Sequence, residues 1–212
     1  MNENYQIVLD REIEGILKRG ATPKLLLHSC CGPCSSYVIE YLSKYFEIMI
    51  LFYNPNIYPK SEYIKRADEQ EKIIRNLKTI NKVDFSIEDY IPEKYYQRIV
   101  GLEEEREGGL RCTECFELRM RYAAGYAKDR GFDYFTTTLS VSPYKNSKLL
   151  NKLGHDLEIE FGINYLYSDF KKRNGYKRSI ELSREYDLYR QEYCGCEFSL
   201  SEAIERQKRA GE

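Results

Sequence analysis

Seven cysteines in 212 residues are the first candidates for chemistry, because they form three groups: Cys30, Cys31 and Cys34; Cys112 and Cys115; Cys194 and Cys196. Thiolates that share one soft metal or an iron–sulfur cluster must converge within a few ångströms, so groups this far apart imply a site assembled by the fold. Cys112-Thr113-Glu114-Cys115 has the two-residue spacing shared by zinc, cluster and redox sites. It follows Gly108-Gly109 at an expected helix start, where the helix dipole favours thiolate. Adjacent Cys30 and Cys31 are poorly spaced for one zinc but can bind different irons of a cube. Together with Cys112 and Cys115 they supply the four thiolates of a [4Fe–4S] cluster.

Cys34, Cys194 and Cys196 remain. A Cys-Gly-Cys pair is too close for an unstrained disulfide, so Cys194 and Cys196 can cycle between dithiol and a labile disulfide. Alternatively, these two and Cys34 hold a second metal, a mononuclear iron, with one position open for substrate. The bland readings are cysteines as small buried hydrophobes, or a structural zinc held by four of the seven.

The elements that must position these thiols are legible as alternating strands and helices. Strands are expected at Lys24 to His28, Glu47 to Tyr53, Val83 to Ile87, Tyr134 to Leu139 and Asn164 to Tyr167. A helix capped by Ser35-Ser36 is expected to follow the first strand, with others at Glu62 to Lys78, Pro92 to Val100, Thr113 to Asp129, Ser147 to Phe161 and Tyr176 to Glu185. Such alternation predicts a three-layer α/β fold with a mostly parallel sheet, and places Cys30 to Cys34 where open sheets build their sites. The expected organisation is an N-terminal extension over residues 1–22 and one α/β iron–sulfur catalytic domain over 23–212.

Composition narrows the class. The 33 basic and 34 acidic residues nearly cancel, so any nucleic-acid contact must be a local patch. The longest purely apolar run, Ile48 to Tyr53, is far too short for a membrane span, and Met1 to Thr22 lacks the pattern of a signal peptide. The expectation is a cytoplasmic protein, bound to no membrane, with reduced cysteines.

Five collinear motifs carry a family resemblance: LLLHSCCGPCS at 25–35, FYNPNIYP at 52–59, CTECFELRM at 112–120, TTTLSVSPYKN at 136–146 and YRQEYCGCEFS at 189–199. They resemble the cobalamin-independent epoxyqueuosine reductases, the QueH family. The resemblance implies an adenine-nucleotide α-hydrolase-like (HUP-like) fold and reduction of the epoxide of epoxyqueuosine in tRNA to queuosine. It also implies a [4Fe–4S] cluster on Cys30, Cys31, Cys112 and Cys115, no cobalamin, and Cys194 and Cys196 as a redox pair or metal ligands. Some relatives carry an acid at the position of Cys34. No glycine-rich phosphate motif is present, which disfavours an ATP-dependent tRNA-thiolating enzyme; a non-enzymatic zinc module is the other alternative.

Losing an epoxide oxygen as water needs two electrons, two protons and an acid. Tyr144 and Lys145 after the fourth strand, and Tyr53 and Asn54 after the second, are the candidate acids or positioning groups. His28, inside an apolar run, reads as a core histidine. The acid-free run containing Lys171, Lys172, Arg173, Lys177 and Arg178 is the expected contact for the anticodon stem-loop, while Arg190 and Gln191 are candidates to face the substrate. An external electron donor is the remaining implied partner.

Overall fold

The structure, a computed structural model, describes residues 3–210. Strands β1 (Lys24–His28), β2 (Glu47–Phe52), β3 (Val83–Ile87), β4 (Tyr134–Thr137) and β5 (Asn164–Tyr165) form one parallel sheet in the order β3-β2-β1-β4-β5. The order reverses at β1, which pairs with both β2 and β4, so a crevice opens beyond the carboxyl ends of these strands.

Near-continuous apolar runs such as Leu25-Leu26-Leu27 suit strands covered on both faces. Alternate side chains feed two cores. Leu25, Leu27, Ile48 and Ile50 pack with Leu9, Ile13 and Ile16 of α1 (Tyr5–Lys18), Val38, Ile39 and Leu42 of α2 (Gly32–Leu42), Ile73 of α3 (Lys60–Asn76) and Leu182 of α7 (Gly175–Glu185). Leu26, Leu51 and Phe135 pack with Phe116, Met120 and three alanines of α5 (Leu110–Asp129) and with Leu150, Leu153 and Leu157 of α6 (Ser147–Phe161). The result is the expected three-layer α/β architecture, completed by the short α4 (Glu93–Arg98) and by α8 (Glu197–Ala210).

The apolar stripe of α1, in the segment expected to be an N-terminal extension, is buried in the same core as β1 and β2. Two local expectations are corrected. Ser35 and Ser36 lie inside α2 and return their hydroxyls to the carbonyls of Gly32 and Pro33 (both 3.0 Å); Cys31 takes the N-cap position, since Pro33 starts the helix earlier. The fourth strand ends at Thr137 and winds into a 3₁₀ turn over Thr138–Val141, with the Thr137 hydroxyl accepting from the Leu139 N–H at 3.3 Å. Among the described residues no helix is long and apolar enough to cross a membrane.

Candidate metal centre

The first thiol group sits on the turn from β1 into α2. Gly32 is required there: a Cβ would lie 2.5 Å from the carbonyl oxygen of Glu69, so only glycine lets the start of α2 pack on α3. The second group occupies the first turns of α5, and the third sits on the loop between α7 and α8. That loop is clamped. Arg66 of α3 donates to the carbonyls of Cys194 (2.9 Å) and Tyr193 (3.3 Å) and is itself held by Glu62 (2.7 Å). Gly195 has φ +144°, and a Cβ there would meet the Arg66 guanidinium at 3.1 Å.

The fold brings these groups into one neighbourhood. The sulfurs of Cys30, Cys31 and Cys34 all lie within 4.8 Å of one another, with Cys30 and Cys31 3.8 Å apart. Cys112 shares a buried cluster with Cys30 and Cys31, while Cys115 and Cys196 meet in another with Tyr95 and Ile99. All seven are free thiols. Gln191 donates its amide N–H to Cys31 Sγ at 3.0 Å, the Gly108 N–H points at Cys112 Sγ at 3.2 Å, and the Ser199 N–H at Cys196 Sγ at 3.4 Å.

The electrostatics favour negative charge on one sulfur, that of Cys30, and hold the proton on Cys31, Cys34, Cys112 and Cys115. Hydrogen bonds from Cys31 and Cys34 hold the Cys30 thiol well below its usual range, and the proton is retained on its partners, with Cys31 pushed up to about 12. Burial pushes Cys115 up to about 12. Cations face the group: burial lowers the Arg119 and Lys145 values, but the surrounding thiols raise them further, so both stay charged. Buried thiols, N–H···S donors and cations with no carboxylate partner among the described residues make a donor set that fits an anionic metal–thiolate cluster.

A cavity of about 1380 Å³ opens beside the thiols, lined by Cys30, Cys34, Cys194, Lys145 and Gln191 among others. Its far wall is formed by the loop Glu103–Glu107 and by α8, to which Glu202 ties Arg111 at 3.4 Å.

The other residues predicted from sequence separate into distinct places. Lys145 lines the cavity half-buried, while Tyr144 is 86% exposed at its mouth. Tyr53 is buried and stacked on Tyr122 with centroids 3.8 Å apart, and Asn54 donates to the Ser29 carbonyl at 2.8 Å. His28 is a satisfied core histidine: Nε2–H donates to the Tyr53 carbonyl (3.2 Å) and Nδ1 accepts from the Thr137 hydroxyl (2.9 Å). Burial, reinforced by the Arg119 charge, lowers its pKa to about 4. Arg190 is engaged with Ser179 and Ser183 (3.3 and 2.9 Å).

The five cations of the basic run lie outside the cavity lining, which the run meets only through Tyr176. Three of its five cations are paired: Lys171 with Asp169 (2.8 Å), Arg173 with Asp10, and Arg178 with Glu40 (2.6 Å). Sequence reasoning missed Arg66 and Arg119, which look like ordinary helix-surface charges. The available signal was spacing, since Cys112, Cys115 and Arg119 fall at i, i+3 and i+7 on one face of α5.

A family model described as epoxyqueuosine reductase QueH matches residues 25–202. A protein named Epoxyqueuosine reductase QueH from Staphylococcus epidermidis is 48% identical over 200 residues, covering 92% of this chain and 84% of that one. The proteins of the same name from Streptococcus pyogenes serotype M1 and Staphylococcus aureus are 45% and 46% identical, covering 94% and 92% of this chain and 80% and 83% of theirs. A solved structure described as a predicted subunit of tRNA methyltransferase from Methanocaldococcus jannaschii aligns with TM-score 0.48 at 16% identity, over 89% of this chain and 90% of that one, a likeness too slight to bear on function. With a family model matched over most of its length and relatives this similar, the chain belongs to the epoxyqueuosine reductase QueH family of oxidoreductases.

Proposed function

We propose that this protein removes the epoxide oxygen of epoxyqueuosine at the wobble position of tRNA, giving queuosine. Both C–O bonds break, two electrons and two protons enter, water leaves and an alkene remains. The observation that carries the reading is the meeting of cysteines from three distant segments beside one cavity. Relatives bearing the reductase name support the substrate.

Cys30, Cys31, Cys112 and Cys115 would hold a [4Fe–4S] cluster, which when bound supplies electrons one at a time. The closeness of Cys34 to Cys30 and Cys31 supports a metal role for Cys34, with Cys194 and Cys196 as further ligands or as a dithiol. The residues of the chain do the rest. The cavity admits the modified nucleotide to the thiols of Cys30, Cys34 and Cys194. The Lys145 ammonium carries one of the two protons that the departing oxygen takes up, its charge sustained by the neighbouring thiols, and the second enters from solvent through the open cavity. Gln191 orients Cys31 by its amide hydrogen bond. Lys172 and Lys177, the cations of the basic run without a described acid partner, meet phosphates of the tRNA. An external low-potential donor supplies the electrons.

The test is anaerobic. Protein reconstituted with iron and sulfide is incubated with epoxyqueuosine-containing tRNA and dithionite, and the nucleosides are analysed by mass spectrometry. Loss of one oxygen atom from the modified nucleoside is expected; an iron-loaded protein that leaves the epoxide intact overturns the reading. Cys196→Ala should keep the brown colour and lose turnover, whereas loss of both shows that the ligands are divided differently.

A further inference from the structure

Three arginines are buried to 2% exposure or less: Arg66, Arg111 and Arg119. Arg66 is balanced by Glu62 and Arg111 by Glu202. Arg119 has no described carboxylate partner. Its Nε donates to the Cys115 carbonyl at 3.1 Å, Nη1 reaches Asn54 Oδ1 at 3.5 Å, and Nη2 is buried with no partner at all. A buried, unbalanced guanidinium is costly unless an anion comes to it. The groups that act on it most strongly among the thiols are Cys115, Cys194, Cys30 and Cys112.

The position of Arg119 is as informative as its charge. One edge of the guanidinium is anchored to the backbone of Cys115 on α5. The other reaches Asn54, whose amide donates to the Ser29 carbonyl at 2.8 Å, one residue before Cys30. Arg119 and Asn54 together therefore link the backbone beside one thiol pair to the backbone beside the other.

We infer that Arg119 is a positioning residue that holds Cys30–Cys31 and Cys112–Cys115 around one centre and sets its reduction potential by favouring the reduced, more negative form. The inference rests on the iron–sulfur reading of that centre. One electron from a low-potential donor adds one negative charge, and a fixed cation in a poorly solvated site stabilises it. Lysine keeps the charge but cannot span both anchors, because it lacks the planar fork.

Anaerobic redox titration of the reconstituted protein with dithionite, read by electron paramagnetic resonance, tests this without substrate. Arg119→Met should move the midpoint to a more negative potential, and Arg119→Lys should recover most of that loss. Asn54→Asp sets a carboxylate against Nη1 and should shift the midpoint the same way; Asn54→Ser, which gives up the Ser29 hydrogen bond without adding charge, is its control. If Arg119→Met assembles no cluster, the contrast between Asn54→Asp and Asn54→Ser decides: a more negative midpoint in the former supports the inference, and equal midpoints overturn it. Unchanged midpoints in both Arg119→Met and Asn54→Asp, on a wild-type cluster, overturn the inference alone. Wild-type protein that binds no cluster overturns the iron–sulfur reading, and this inference with it.

Discussion

On one face of the sheet, Leu25, Leu27, Ile48 and Ile50 meet α1, α2, α3 and α7 in a core of aliphatic and aromatic side chains, whereas on the other Leu26, Leu51 and Phe135 share their core with Cys30, Cys31 and Cys112. The helices differ accordingly. Ala123, Ala124 and Ala127 of α5 are fully buried, so this helix seats closely beside the sheet, and its first turns carry two thiols into the crevice. The first face secures the fold; the second gives up part of its bulk to present reactive groups.

The sharpest way to break that division is at the second face. Cys112→Ser should abolish cluster assembly and all epoxide reduction, read by iron and sulfide analysis and by nucleoside turnover; a fully assembled cluster in Cys112→Ala contradicts the assignment. The mirror experiment on the first face is Leu42→Ala, at a fully buried position. It should lower unfolding free energy by about 2–5 kcal/mol in urea, while the iron bound per folded molecule stays at the wild-type value.

His28 ends β1 on the same face of the sheet as Leu26, and its effect is expected to be smaller. Its folded pKa of about 4 lies below the ordinary 6.5, so the unfolded chain takes up the proton first. Stability is then full above about pH 6.5 and falls as the pH drops towards 4, by up to about 3 kcal/mol. Urea midpoints at pH 7 and pH 5 should converge in His28→Gln relative to wild type; an equal pH dependence in both breaks the account.

The smallest effect belongs to the basic run. Lys172→Glu with Lys177→Glu should reduce the salt dependence of tRNA binding by a slope of about 0.7–0.9 for each phosphate that is no longer neutralised. Iron content should stay unchanged. An unaltered slope would remove this segment from the tRNA surface.

The legible parts of the molecule were those whose cause is local. β1 coincides with its apolar run and β3 with the alternating Val83, Phe85 and Ile87, and α6 starts at Asn146, whose side chain caps two N–H groups, and stops at Gly162 with φ +61°. The thiol groups were legible because cysteine clustering is itself a chemical signal. What escaped depends on partners distant in sequence. The run Lys171 to Arg178 contains no acid, yet Asp10 and Glu40 reach it from α1 and α2. Arg66 and Arg119 sit in polar-looking helices, and only the folded chain turns them towards the loop of Cys194 and the backbone of Cys115.

The thiols come from positions near 30, 112 and 194, and the last of them lies on a loop held by Arg66 and by the Tyr58 N–H, which donates to the Gly195 carbonyl at 2.8 Å. A centre with such separation has no counterpart in a half-made chain. During synthesis the first two groups emerge well before the third, and pairings over this distance are among the late events of folding. The order of maturation follows: the polypeptide finishes, the sheet closes, and only then does the complete set of thiols stand beside the cavity. A metal bound there would thus double as a reporter of the finished tertiary structure.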